Sequence, residues 1–210
     1  MTARVQSNQR DGLAFFGRMC ASISHEIKNC LAVINEQNGL HEDLLMLQKQ
    51  GRALAPERVE RINKTIAEQV QRMDGIVKRL NHFAHSPDHV EEHIELSEMC
   101  SAVRELCNRF AANKGVVLTC EAPTSAAIKA QPFLVTQLLV QCLEALFEDI
   151  TSGQTITMRV MENEHGPVVA IMPGLEHTPS SIHSLAKEVG ACIQRHDRGM
   201  VITEIGFQTS

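Results

Sequence analysis

A chain of 210 residues, 43% apolar and 21% charged, suffices for one ordinary domain or two small ones around a substantial core, and its composition excludes a disordered polymer. Its net charge of −5, its lack of Trp and Tyr and the absence of any basic stripe interleaved with aromatics leave no footprint for nucleic acid or for a base-stacking platform. Seven scattered cysteines without a CxxC pair argue against a disulfide framework and read as reduced core thiols.

No run approaches the roughly 18 apolar residues of a membrane span, and there is no signal-peptide core. The expectation is therefore a cytoplasmic protein, with no membrane or nucleic-acid partner, that works on other proteins.

Residues 1–11 are polar and read as a flexible N-terminal tail. From Gly12 to about Lys49, Phe16, Cys20, Ile23, Ile27, Leu31 and Ile34 recur every three or four residues, which predicts an amphipathic helix. At about 1.5 Å per residue this helix is roughly 60 Å long, too long for a compact domain unless a partner lies along its stripe.

Gly51 and Pro56 supply a helix stop and a first-turn residue for the next helix. There Val59, Ile66, Met73 and Leu80 repeat every seven residues, interleaved with Ile62, Gln69, Ile76 and Phe83, the seam of a helical pair. Residues 12–86 thus form a long antiparallel hairpin, and dimerisation into a four-helix bundle is the simplest way to bury both stripes.

The polar stretch around Pro87, placed at residues 87–93, reads as a linker. Beyond it the pattern changes to mixed strands and helices. A helix at about 97–113 leads to strands near 116–120 and Ile128, then a strongly apolar helix from Pro132 to about Asp149. Strands at 154–162 and 167–172, a helix at about 179–189, and strands near 191–196 and 200–207 around an Asp197-Arg198-Gly199 turn complete the chain. Residues 94–210 are expected to be a layered α/β sandwich, making the whole an α+β protein.

The chemistry is concentrated in Ser24-His25-Glu26-Ile27-Lys28-Asn29. On a helical wheel Arg18, Ser22, His25 and Asn29 share one polar stripe, away from Ile23 and Ile27, so His25 is expected to face solvent. A neutral imidazole is a competent nucleophile, and a carboxylate taking its Nδ1 proton leaves Nε2 ready to accept a phosphoryl group. Glu26 is the candidate for that role, and Asn29, one turn on, for positioning a water. As bare chemistry a His-Glu pair on a helix does not distinguish phosphotransfer from a solvated polar face.

The run Ala21-Ser22-Ile23-Ser24-His25-Glu26-Ile27-Lys28-Asn29-Cys30-Leu31-Ala32-Val33-Ile34 resembles the phosphoacceptor H box of two-component sensor histidine kinases, and Leu80-Asn81-His82-Phe83-Ala84 resembles the end of that family's second dimerisation helix. The resemblance implies a homodimeric bundle with His25 as phosphoacceptor, and carries a receiver-phosphatase role to Glu26 and Asn29. Cys30 stands where the family usually has proline, which removes the usual kink.

Residues 94–210 resemble the family's catalytic ATP-binding domain in outline. The helix that carries the N box matches Gln131 to Ala145, with Ala145 at the Mg²⁺-coordinating asparagine and Gln141 at the earlier one. A methyl group cannot ligate Mg²⁺. Ile171-Met172-Pro173-Gly174 stands at the DxGxG loop, and Met172 cannot bind an adenine amino group as the aspartate does. About ten residues separate Gly174 from the next helix, which leaves little room for a nucleotide lid. Similar family members, with a histidine bundle followed by a degenerate catalytic domain, include the histidine phosphotransferases of phosphorelays.

His82, His85, His89 and His93 have metal-ligand spacing, but Pro87 breaks their helix and the run reads as polar linker. The reading that emerges is phosphoryl transfer between His25 and the Asp of a response-regulator receiver that brings its own Mg²⁺, with no cofactor held by this chain. Arg18, Ser22 and Lys28 would help to define the docking surface. An active sensor kinase with an unorthodox nucleotide site and a pseudokinase adaptor that binds or dephosphorylates a regulator are the alternatives.

Overall fold

The computed structural model describes residues 2–197 and 201–207, which divide into two compact units between His82 and Phe83. The first is helical. Helix α1 spans Thr2–Lys49 and α2 spans Pro56–His85. The flexible tail expected over residues 1–11 is instead the start of α1, since neither Gly nor Pro interrupts the sequence before Gly12.

At the other end of α1, Gly51 adopts a left-handed φ of 84°. The Arg52 N–H then reaches back to the Leu47 carbonyl at 3.1 Å and the Gly51 N–H to that of Gln48 at 2.9 Å, closing the last turn. Pro56 opens α2, as expected of a residue with fixed φ and no N–H.

Burial divides the two rows of α2. Ile62 and Ile76 are buried, whereas Val59, Ile66, Met73 and Leu80 stay half-exposed. Beside this second row Val70 is 48% exposed and Val77 39%. The covered row and the wet row together make an apolar arc wider than one partner helix covers. Phe83, expected at the end of the hairpin seam, belongs to the second unit, where its ring lies 6.1 Å from that of Phe133.

The second unit therefore begins before the expected linker. The Ser86 hydroxyl donates to the Phe83 carbonyl at 2.7 Å, and Ser86–Asp88 form a 3-10 turn with Pro87 inside it. Strand β1, Glu92–Glu95, then pairs antiparallel with β3, Ala127–Ala130, Ile94 opposite Ile128. With one apolar residue in four, β1 carries too little periodicity to be read locally.

The other elements fall within a residue or two of their predicted bounds. These are α3 (Leu96–Lys114), β2 (Val117–Glu121), α4 (Pro132–Asp149), β4 (Thr155–Asn163), β5 (Gly166–Met172), α5 (Ser180–Val189), β6 (Ala191–Asp197) and β7 (Val201–Phe207). The turn assigned to Asp197-Arg198-Gly199 lies mainly outside the described residues.

The main sheet runs β2-β4-β5-β7-β6, with β2 parallel to β4 and the remaining pairs antiparallel. Against it lies a layer of helices in which α3 meets β2 and β4, α5 meets β6, and α4 packs beside both helices. Ile156, Met158 and Val160 alternate with the more exposed Thr157, Arg159 and Met161, so β4 turns one face to the core. The apolar helix α4 buries Leu138, Leu139, Cys142 and Leu143 completely. Among the described residues no helix is long and apolar enough to cross a membrane.

Candidate functional site

His25 lies in the middle of α1 and is exposed, as its place on the polar stripe predicts. Asn29, Lys28 and Arg18 are exposed too. Asn29 follows His25 by four residues, so the two side chains stand on one face, separated along the axis by about 6 Å. Together they form an open patch that a second protein can reach from solvent.

Ser22 departs from the expectation. It is only 5% exposed, and its hydroxyl has no hydrogen-bond partner among the described residues. The reason is geometric. Phe15 and Met19 are fully buried, whereas the sequence stripe was drawn through Phe16 and Cys20. Ser22 stands seven residues after Phe15 and hence within about 20° of it on the wheel. It cannot line a docking surface.

Glu26 lies seven residues after Met19, on the same side, and is half-buried. Consecutive helical positions diverge by about 100°, and among the described residues no hydrogen bond joins Glu26 to His25.

In the second unit, Gln141 and Ala145 sit half-buried on α4, and Met172 closes β5. The segment from β5 to α5 is short, Pro173–Pro179, and its start is pinned to β7. The Leu175 N–H donates to the buried Thr203 hydroxyl at 2.8 Å. Gly174 runs so close to β7 that a Cβ there would collide with the Thr203 backbone nitrogen and stand 2.6 Å from the Ile202 carbonyl carbon. Only glycine, with no Cβ, fits this close backbone approach.

The histidine run does not converge. The helix ends at His85, whose Nδ1 lies 3.0 Å from Asp88 Oδ2, and His89 Nδ1 lies 3.3 Å from Glu92 Oε2. Among the described residues no group of three or more His, Cys, Asp or Glu side chains is gathered to hold a metal ion.

A two-helix unit that carries His25, followed in the chain by a mixed five-stranded sheet under a layer of three helices, is the architecture.

Solved structures similar to this chain include the histidine kinase AdeS of Acinetobacter baumannii, at 12% identity over 89% of this chain and 98% of that one, with a TM-score of 0.48. A bacterial phosphotransferase is similar at 18% identity over 91% of this chain and 95% of that one, with a TM-score of 0.43. The histidine kinase ThkA, in a complex with the response regulator TrrA, is similar at 16% identity over 100% of this chain and 66% of that one, with a TM-score of 0.48. No family model matches the chain, and no curated protein matches it by sequence.

Proposed function

We propose that this histidine-kinase-like chain is a homodimeric phosphotransfer protein of two-component signalling, exchanging a phosphoryl group between His25 and the aspartate of a response-regulator receiver. The exposed imidazole on α1, inside the H-box-like run and beside Asn29, carries the reading. In the transfer, His25 Nε2 attacks the phosphorus of the receiver's aspartyl phosphate in line, the N–P bond forms, and the aspartate carboxylate leaves with its electron pair. Mg²⁺ belongs to the receiver. Glu26, once rotated toward His25, holds the Nδ1 proton and stabilises the developing charge, and Arg18 and Lys28 flank the phosphoryl path with positive charge. Asn29 places a water for the competing hydrolysis of the aspartyl phosphate.

Two observations support transfer without ATP. The residues at the nucleotide positions, Ala145 and Met172, offer no ligand to Mg²⁺ or adenine, and Pro173–Pro179 is short and tied to Thr203. The half-exposed row Val59, Ile66, Met73 and Leu80 supports the homodimer, because a second hairpin laid along it completes the burial that one hairpin leaves undone.

The test is incubation of the purified protein with labelled ATP, and separately with labelled phospho-receivers, with His25→Ala as control. Label passing only from the receiver, and only to the chain that keeps His25, is the expected result. ATP-dependent labelling of His25 overturns transfer without ATP in favour of an active kinase. Receiver binding that survives His25→Ala, with no label transferred by either protein, overturns transfer in favour of an adaptor.

A further inference from the structure

Two of the seven cysteines lie on elements of the sandwich that pack against each other. Cys120 lies on β2, the edge strand of the main sheet, opposite Met158 of β4, and is half-buried on the row of Leu118. That row faces α3, where Cys100 is fully buried between Leu96 and Val103. Cys100 and Cys120 thus stand as free thiols on α3 and β2, elements packed against each other, near enough for each to shift the other's ionisation.

We propose that Cys120 is an oxidant-reactive modification site and Cys100 its resolving thiol, the pair closing a disulfide between β2 and α3 when a hydroperoxide is the oxidant.

The electrostatics favour this division of labour. The neighbouring Cys100 thiol lowers the Cys120 thiol, and the Arg104 guanidinium also favours its thiolate, against desolvation and Glu121, to a pKa of about 7. The neighbouring Cys120 and burial push Cys100 up, so that it keeps its proton. Cys107 and Cys142 provide the contrast: burial pushes both up, Cys142 to about 12, and neither supplies thiolate near neutral pH.

In the first step the Cys120 thiolate attacks one peroxide oxygen. The S–O bond forms, the O–O bond breaks, and the departing hydroxide or alkoxide takes a proton from solvent to leave as water or alcohol. In the second step the Cys100 sulfur attacks the Cys120 sulfenic acid, the S–O bond breaks, and the Cys100 proton leaves with the hydroxyl as water. Each peroxide is reduced by two electrons and the two thiols supply them. A dithiol reductant restores the pair by exchange.

The experiment uses the whole chain. Hydrogen peroxide in small molar excess, followed by blocking of remaining thiols and tryptic digestion without reductant, is expected to join peptide 80–104, which holds Cys100, to peptide 115–129, which holds Cys120. Dithiothreitol should separate them. Dimedone should label peptide 115–129 in Cys100→Ser, and peptide 80–104 should stay unmodified in Cys120→Ser. The wild-type peptide map needs no variant to fold. The proposal is overturned if Cys120 remains a thiol, or if it pairs with a cysteine other than Cys100.

Discussion

The two units solve the burial problem differently. The sandwich is self-sufficient: β5 is buried along most of its length, α4 is covered on nearly every side, and Leu138, Leu143, Ile156 and Ile171 are all but fully enclosed. The hairpin leaves part of its apolar surface wet, with Leu31 43% and Val70 48% exposed. A unit that closes its own core can lose a ligand and remain folded, because packing holds it together. A unit with an open stripe has apolar surface left for a partner to cover, and its exposed histidine stands where a partner can reach it.

Four changes would break or sharpen this contrast. The largest effect belongs to His25→Ala, expected to reduce label transfer from a phospho-receiver by on the order of 10³-fold or more, with the circular dichroism spectrum unchanged because the side chain is exposed. Next, Leu143→Ala in the closed core should destabilise the sandwich by about 2–5 kcal/mol in denaturant titrations. Leu143 is fully buried, and a smaller loss would show that the unit is not closed as described.

Charging the wet row comes third. Ile66→Lys or Met73→Lys should convert the proposed dimer to monomer in sedimentation experiments, by placing an unpaired charge where a second hairpin would lie. A dimer that persists with unchanged stability would show that the seam lies elsewhere. Gly174→Ala is the fourth, expected to destabilise the sandwich by about 1–3 kcal/mol in thermal melts, since the added methyl meets the β7 backbone.

A smaller effect concerns reactivity alone. Alkylation of Cys120 should rise with pH through a midpoint of about 7, because a lowered thiol pKa supplies the reactive thiolate earlier, and should be slower than this at every lower pH.

Most of the elements were legible because their signals are local. The heptads of α2, the Gly51–Pro56 punctuation and the uninterrupted apolar run of α4 each report a period or a backbone restriction carried by the residues themselves. The exposure of His25 and Asn29 was legible for the same reason. What the neighbours decide was not. Strand β1, charged at Glu92 and Glu95, exists because Ile94 finds Ile128 across the small sheet. Phe83 fits the heptad seam equally well, but its ring is placed beside Phe133 by tertiary packing. Ser22 lies only about 60° from His25 on the wheel, and which side of that narrow angle is buried depends on where the covering surface falls. The pairing of Cys100 with Cys120 likewise required α3 to lie on β2. Periodicity and residue chemistry act over one or two turns and are therefore written in the chain, whereas burial is a relation between segments that only the folded arrangement determines.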